Sequence, residues 1–88
     1  MSLPLALTLA DLRPGEKVKI LGFNSGNEVY QQKLMSMGLV PETELEFIRV
    51  APWGDPIEIK VHQIFLCIRQ AESQILKLER ILKPVKVG

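Results

Sequence analysis

At 88 residues, with 47% apolar side chains and a formal net charge of +1, the chain has the bulk of one small domain. It has no basic excess to drive binding to nucleic acid phosphates. No apolar run approaches ~18 residues, so nothing is written to span a membrane; residues 1–9 are too short and lack the positive start of a signal peptide; and the one cysteine, Cys67, excludes an internal disulfide and suits a reducing, cytoplasmic setting.

The first element is a short helical turn capped by Thr8, with Asp11 at its third position as an imperfect capping box. Pro14-Gly15 then marks a turn. Residues 16–22 alternate, with Val18 and Ile20 on one face and Lys17 and Lys19 on the other, which predicts a half-buried strand. Asn27 is an N-cap candidate, Glu28 suits the helix dipole, and Tyr30, Leu34 and Met37 recur at helical spacing before Gly38. A helix is therefore predicted over 28–37, ended by a left-handed cap at Gly38.

The second strand is predicted over 44–50, with Leu45 and Phe47 inward. Its alternation slips at Ile48-Arg49-Val50, which points to a bulge. Residues 51–59 read Ala-Pro-Trp-Gly-Asp-Pro-Ile-Glu-Ile, a constructed hairpin loop that holds the only Trp of the chain. Asp55 is expected to bond its own turn backbone. The third strand, 57–61, places Ile57, Ile59 and Val61 on one face. Two registers against the second strand are open, setting Glu46 opposite Lys60 or His62.

The last third carries two readings. Ile64, Ile68, Ala71, Ile75, Leu78 and Leu82 form an a/d seam, which favours one long helix over 63–83 and a coiled-coil pair. The rival is strand, turn, strand, with a buried strand in the apolar block Ile64-Phe65-Leu66-Cys67-Ile68, a turn through 70–73 and a strand over 74–78.

Four groups of residues, in order, resemble the FeoA family of small partners of the FeoB ferrous iron transporter. They also resemble the related domain at the C-terminus of iron-dependent repressors. The groups are Thr8-Leu9 through Leu12-Arg13-Pro14-Gly15; Leu34 with Met37-Gly38-Leu39-Val40-Pro41; Ala51-Pro52-Trp53-Gly54-Asp55-Pro56-Ile57; and Cys67-Ile68-Arg69 through Ala71-Glu72 to Ile75. The resemblance implies a mainly β fold, a small SH3-like barrel of about five strands with a helix inserted between the first two. It covers a core of 8–79 within a single domain of 1–88, and it favours strand-turn-strand in the last third. Glu42 stands where the family has Gly after the proline. A type II turn would then be lost and the turn is expected to change shape. Residues 80–88 extend past the usual end and read as a frayed terminus.

Chemistry finds little support. His62, Cys67 and the carboxylates do not converge at metal-ligand spacing. Glu58 and His62 on one strand would stand about 13 Å apart at ~3.3 Å per residue. Cys67, within the apolar block, reads as a small buried hydrophobe. No nucleophile, metalloprotease or phosphate-loop motif is present. No metal, cofactor or catalytic residue is therefore assigned, and no enzyme activity is expected. Trp53 either folds back over the barrel end, which the residues alone favour, or stands out as an anchor for a partner. The resemblance implies a cytoplasmic accessory protein of ferrous iron uptake that docks on the GTPase part of a FeoB-like transporter. The docking candidates are Met35, Leu39, Trp53 and Pro56. Direct insertion into a membrane is not expected, and open edge strands leave a homodimer open. Two rivals are a metal-sensing regulatory module, for which a DNA-binding helix-turn-helix does not fit beside a barrel in 88 residues, and a nucleic-acid-binding barrel, which the balanced charge opposes.

Overall fold

The computed structural model describes residues 7–81. Five strands form one antiparallel sheet in the order β4-β3-β2-β1-β5. They are β1 (Lys17–Phe23), β2 (Glu44–Val50), β3 (Ile57–Val61), β4 (Ile64–Ile68) and β5 (Leu76–Arg80), with helix α1 (Glu28–Ser36) between β1 and β2 and a single-turn helix α2 (Gln70–Ser73) between β4 and β5. This is the mainly β, SH3-like plan with a helix after the first strand.

Alternation builds the core. Val18 and Ile20 of β1, Leu45 and Phe47 of β2, and Ile57, Ile59 and Val61 of β3 are all buried on one face. Leu9 and Leu12, brought in by a 3-10 turn over Leu9–Asp11, and Leu34 of α1 close over that face. The turn is held as expected: the Thr8 N–H and hydroxyl both donate to Asp11 Oδ2, at 2.9 and 3.1 Å. Of the two open registers, Glu46 pairs with Lys60, and the bulge falls between Phe47 and Arg49.

Helix α1 begins where Asn27 Oδ1 accepts the Tyr30 N–H (3.0 Å). It ends at Gly38, whose φ of +91° is the left-handed cap expected there. The Gly38 N–H donates to Met35 O and the Leu39 N–H to Leu34 O, both 3.0 Å. That pair of bonds is the Schellman motif, which turns the residue after the glycine back onto the last helical turn. Leu39 is accordingly 0% exposed.

The last third is strand, helical turn, strand, so the long helix over 63–83 does not form. Of its seam, Leu82 lies outside the described residues, as do residues 82–88 of the tail. The block 64–68 is a strand but not a buried one. Among the described residues it pairs only with β3, and Ile64, Phe65 and Cys67 are exposed.

The turn at Glu42 keeps its shape despite the missing glycine. Thr43 N–H donates to Val40 O (3.1 Å), Pro41 occupies the second position, and Glu42 sits at φ +76°. This is a type II turn with a glutamate where φ > 0 is required. Bonds on both sides hold it there, Glu42 N–H to Ile20 O (2.7 Å) and Ile20 N–H to Thr43 O (2.8 Å). A left-handed non-glycine residue costs about 1–2 kcal/mol, while Glu42 gains only an exposed ion pair with Lys19 at 3.4 Å. Glu42→Gly should therefore raise stability by about 0.5–1 kcal/mol, after allowance for glycine's greater freedom when unfolded. Thermal denaturation should show a Tm a few degrees higher.

Candidate functional site

The loop between β2 and β3 is fixed by its backbone. Gly54 N–H donates to Ala51 O (2.8 Å) and Ala51 N–H to Pro56 O (3.0 Å). Pro52 thus takes the second position of a β-turn and Trp53 the third, before Gly54 at φ +91°. The Asp55–Pro56 peptide is cis. Asp55 does not bond its own turn. Its Oδ1 accepts the Gln70 N–H (2.6 Å), the first amide of α2. A helical first turn has free amides in need of an acceptor, and the loop supplies one.

On this turn Trp53 is 93% exposed. It does not cover the barrel end; it stands in solvent. A Trp can bury about 150–250 Å², so the fold leaves about 4–6 kcal/mol of hydrophobic free energy unused at this position. Isolated exposed leucines or valines are ordinary on surfaces, whereas an exposed Trp on a hydrogen-bonded turn has the properties of a binding anchor.

The four docking candidates separate. Trp53 and Pro56 share one exposed loop, and Met35 is exposed on α1. Leu39 drops out because the Schellman turn puts it in the core. The loop and α1 are both tied to α2, the loop through Asp55 and Gln70, the helix through Lys33 Nζ and Glu72 Oε2 at 2.6 Å. The sequence reading missed Val29 on α1 and Ile64 and Phe65 on β4, all exposed.

Among the described residues Glu72 is the buried charge. Its side chain is 8% exposed, Oε2 accepts from Lys33, and Oε1 accepts the Arg69 N–H (3.1 Å). The Lys33 hydrogen bond, helped by the Arg69 amide, holds its pKa below the usual carboxylate range against the opposing effect of burial. The native state therefore binds fewer protons here than the unfolded one. The resulting stability is present above the unfolded pKa of about 4.3 and is lost as pH falls through the lower folded value. Glu72→Gln should cost about 1–2 kcal/mol at pH 7, discounted for the half-exposed Lys33. Chemical denaturation at pH 7 and pH 3 should show that difference shrinking at the lower pH.

Metal chemistry gains no cluster. His62 lies in the two-residue turn after β3 (φ +51°), off the strand face expected for it. Cys67 is an exposed free thiol, not a core residue. Among the described residues no group of three or more His, Cys, Asp or Glu side chains is placed to hold a metal ion. Among the same residues no helix is long and apolar enough to cross a membrane.

Residues 7–80 match the FeoA domain family. The chain is 33% identical to iron(II) transport protein A from Clostridium thermocellum, with a TM-score of 0.77 over 85% of this chain; it spans 46% of that protein's length. It is 28% identical to a FeoA-like protein from Clostridium acetobutylicum, with a TM-score of 0.78 over 97% of this chain and 98% of that one. At the level of fold alone it is similar to the zinc-complexed FeoA of Stenotrophomonas maltophilia, described as a prokaryotic SH3 domain protein (19% identity, TM-score 0.70, 84% of this chain and 91% of that one).

Proposed function

The chain belongs to the FeoA domain family, and on that premise we propose that it is a non-enzymatic cytoplasmic accessory of ferrous iron uptake, docking on the GTPase part of a FeoB-like transporter. The observation that carries this reading is Trp53, 93% exposed on a turn whose shape is set by main-chain bonds. A rigid aromatic anchor loses little conformational entropy on binding and desolvates a large area, which is the profile of a hot spot. Pro56 on the same loop and Met35, exposed on helix α1, are the further apolar candidates, Met35 with an adaptable side chain.

The action on the partner follows from differential affinity. A surface that binds one conformation of the GTPase domain better than another shifts its population by that difference, with no chemistry of its own. Fluorescence tests the docking. Trp53 is the only Trp of the chain, so its difference emission should shift to shorter wavelength as the GTPase domain is added. Complex formation that leaves the emission of a solvent-exposed indole unchanged would contradict Trp53 as the anchor.

A further inference from the structure

The free edge of β4 carries an inference independent of the Trp53 loop. β4 reads Ile-Phe-Leu-Cys-Ile and, among the described residues, pairs only with β3. It holds no charge, no proline and no bulge, the devices by which edge strands resist pairing. The opposite edge, β5, is protected by Lys77, Glu79 and Arg80. On β4, Ile64 and Phe65 are each 59% exposed and Cys67 is exposed.

The turn that precedes β4 decides which main-chain groups are free. His62 and Gln63, at φ +51° and +69°, make a two-residue turn with Val61 opposite Ile64. In such a hairpin the closing pair is hydrogen-bonded and the pairs alternate from there. Ile64, Leu66 and Ile68 therefore turn their amides and carbonyls to β3, and Phe65 and Cys67 turn theirs to the open edge.

We propose that β4 pairs with β4 of a second copy, antiparallel, about a two-fold axis at Leu66. A two-fold axis normal to the sheet must fall on a residue facing itself. With the axis at Phe65 or at Cys67, that residue pairs with itself and the other outward residue is handed to Gln63 or Arg69. With the axis at Leu66, Phe65 faces Cys67 of the second copy and the reverse, so every outward main-chain group of β4 is paired within the strand. Side chains agree with this register. Lys60 reaches over the Phe65 ring, 5.7 Å from its centroid, and Glu58 stands beside Cys67. Each row across the joined sheet then runs Lys60, Phe65, Cys67 of the second copy, Glu58 of the second copy. Opposite charges end the row, although Glu58 is shared with Arg49 (3.1 Å). The Phe65-centred register would end its row in two lysines and the Cys67-centred one in two glutamates.

A strand this short buries less than about 1,200 Å², so the dimer belongs to the weak, reversible class, with a Kd of about 10–100 μM. Sedimentation equilibrium from about 10 μM to about 1 mM should show the mean mass rising from one chain toward two. Phe65→Lys and, separately, Cys67→Lys should each weaken the dimer at least about tenfold, because a lysine on an edge strand opposes edge-to-edge pairing. Cys67 is exposed and stands opposite Glu58, so the Tm of Cys67→Lys should hold, whereas Phe65→Lys, set opposite Lys60, should lower it by a few degrees; Trp53→Ala should leave the dimer unchanged. Hydrogen exchange reads the register: the Phe65 and Cys67 amides should slow as the dimer fills, while that of Leu66 is protected throughout. A chain monomeric at about 1 mM, a dimer indifferent to both lysine variants, or fast Phe65 and Cys67 amides in the dimer would each overturn the proposal. So would a monomer whose β4 variants instead weaken binding to the transporter's GTPase domain, which would assign the edge to a partner strand.

Discussion

Leu39→Ala should lower folding stability by about 3 kcal/mol. In a chain of this size that corresponds to a fall in Tm of more than about ten degrees. Leu39 is 0% exposed and sits at the junction where α1 is turned back onto the sheet. Its amide bond to Leu34 O survives the substitution, so the loss comes from the side chain: apolar area returned to water and a cavity between α1 and the core face. Denaturant titration with circular dichroism measures it. A loss within about 0.5 kcal/mol would mean that the site behaves as a surface position. The fraction that remains folded should bind the partner as the parent does, because Leu39 has no surface to offer.

Trp53→Ala should do the reverse. Folding stability should stay within about 0.5 kcal/mol, since a residue 93% exposed has few contacts to lose. The bonds that shape the loop, Gly54 N–H to Ala51 O, Ala51 N–H to Pro56 O and Gln70 N–H to Asp55 Oδ1, do not involve the indole. Binding to the GTPase domain should weaken by about 2 kcal/mol or more, close to 30-fold. The two substitutions therefore separate what the sequence placed together as docking candidates: one residue supports the fold, the other presents a surface.

Most of the sheet was legible from alternation. β2 and β3 follow from Leu45 and Phe47 and from Ile57, Ile59 and Val61, and the slip at Ile48 announced the bulge between Phe47 and Arg49. The heptad of the last third misled for a specific reason. Residues four apart share a face in a strand as well as in a helix, so Ile64 and Ile68 fit both periods. What distinguishes the strand is Leu66 between them, on the same face and opposite Ile59.

Leu39 was legible in principle, because the residue after a Gly C-cap commonly packs back on the helix. The apolar run from Leu34 to Leu39 masks that signal, because the same residues also read as a surface patch. The exposure of β4 and Trp53 was not legible, because a sequence pattern records which residues are apolar and not which neighbour covers them. Asp55 is a similar case: its acceptor role is to Gln70, fifteen positions away, where local turn chemistry has no reach.

The docking reading is tested most directly by isothermal titration calorimetry of the chain, as wild type and as Trp53→Ala, into the soluble GTPase domain of a FeoB-like transporter. Docking through Trp53 predicts saturable binding by the wild type and binding at least about 30-fold weaker by the variant, at unchanged Tm. No binding by the wild type, or equal affinities for the two, would contradict it.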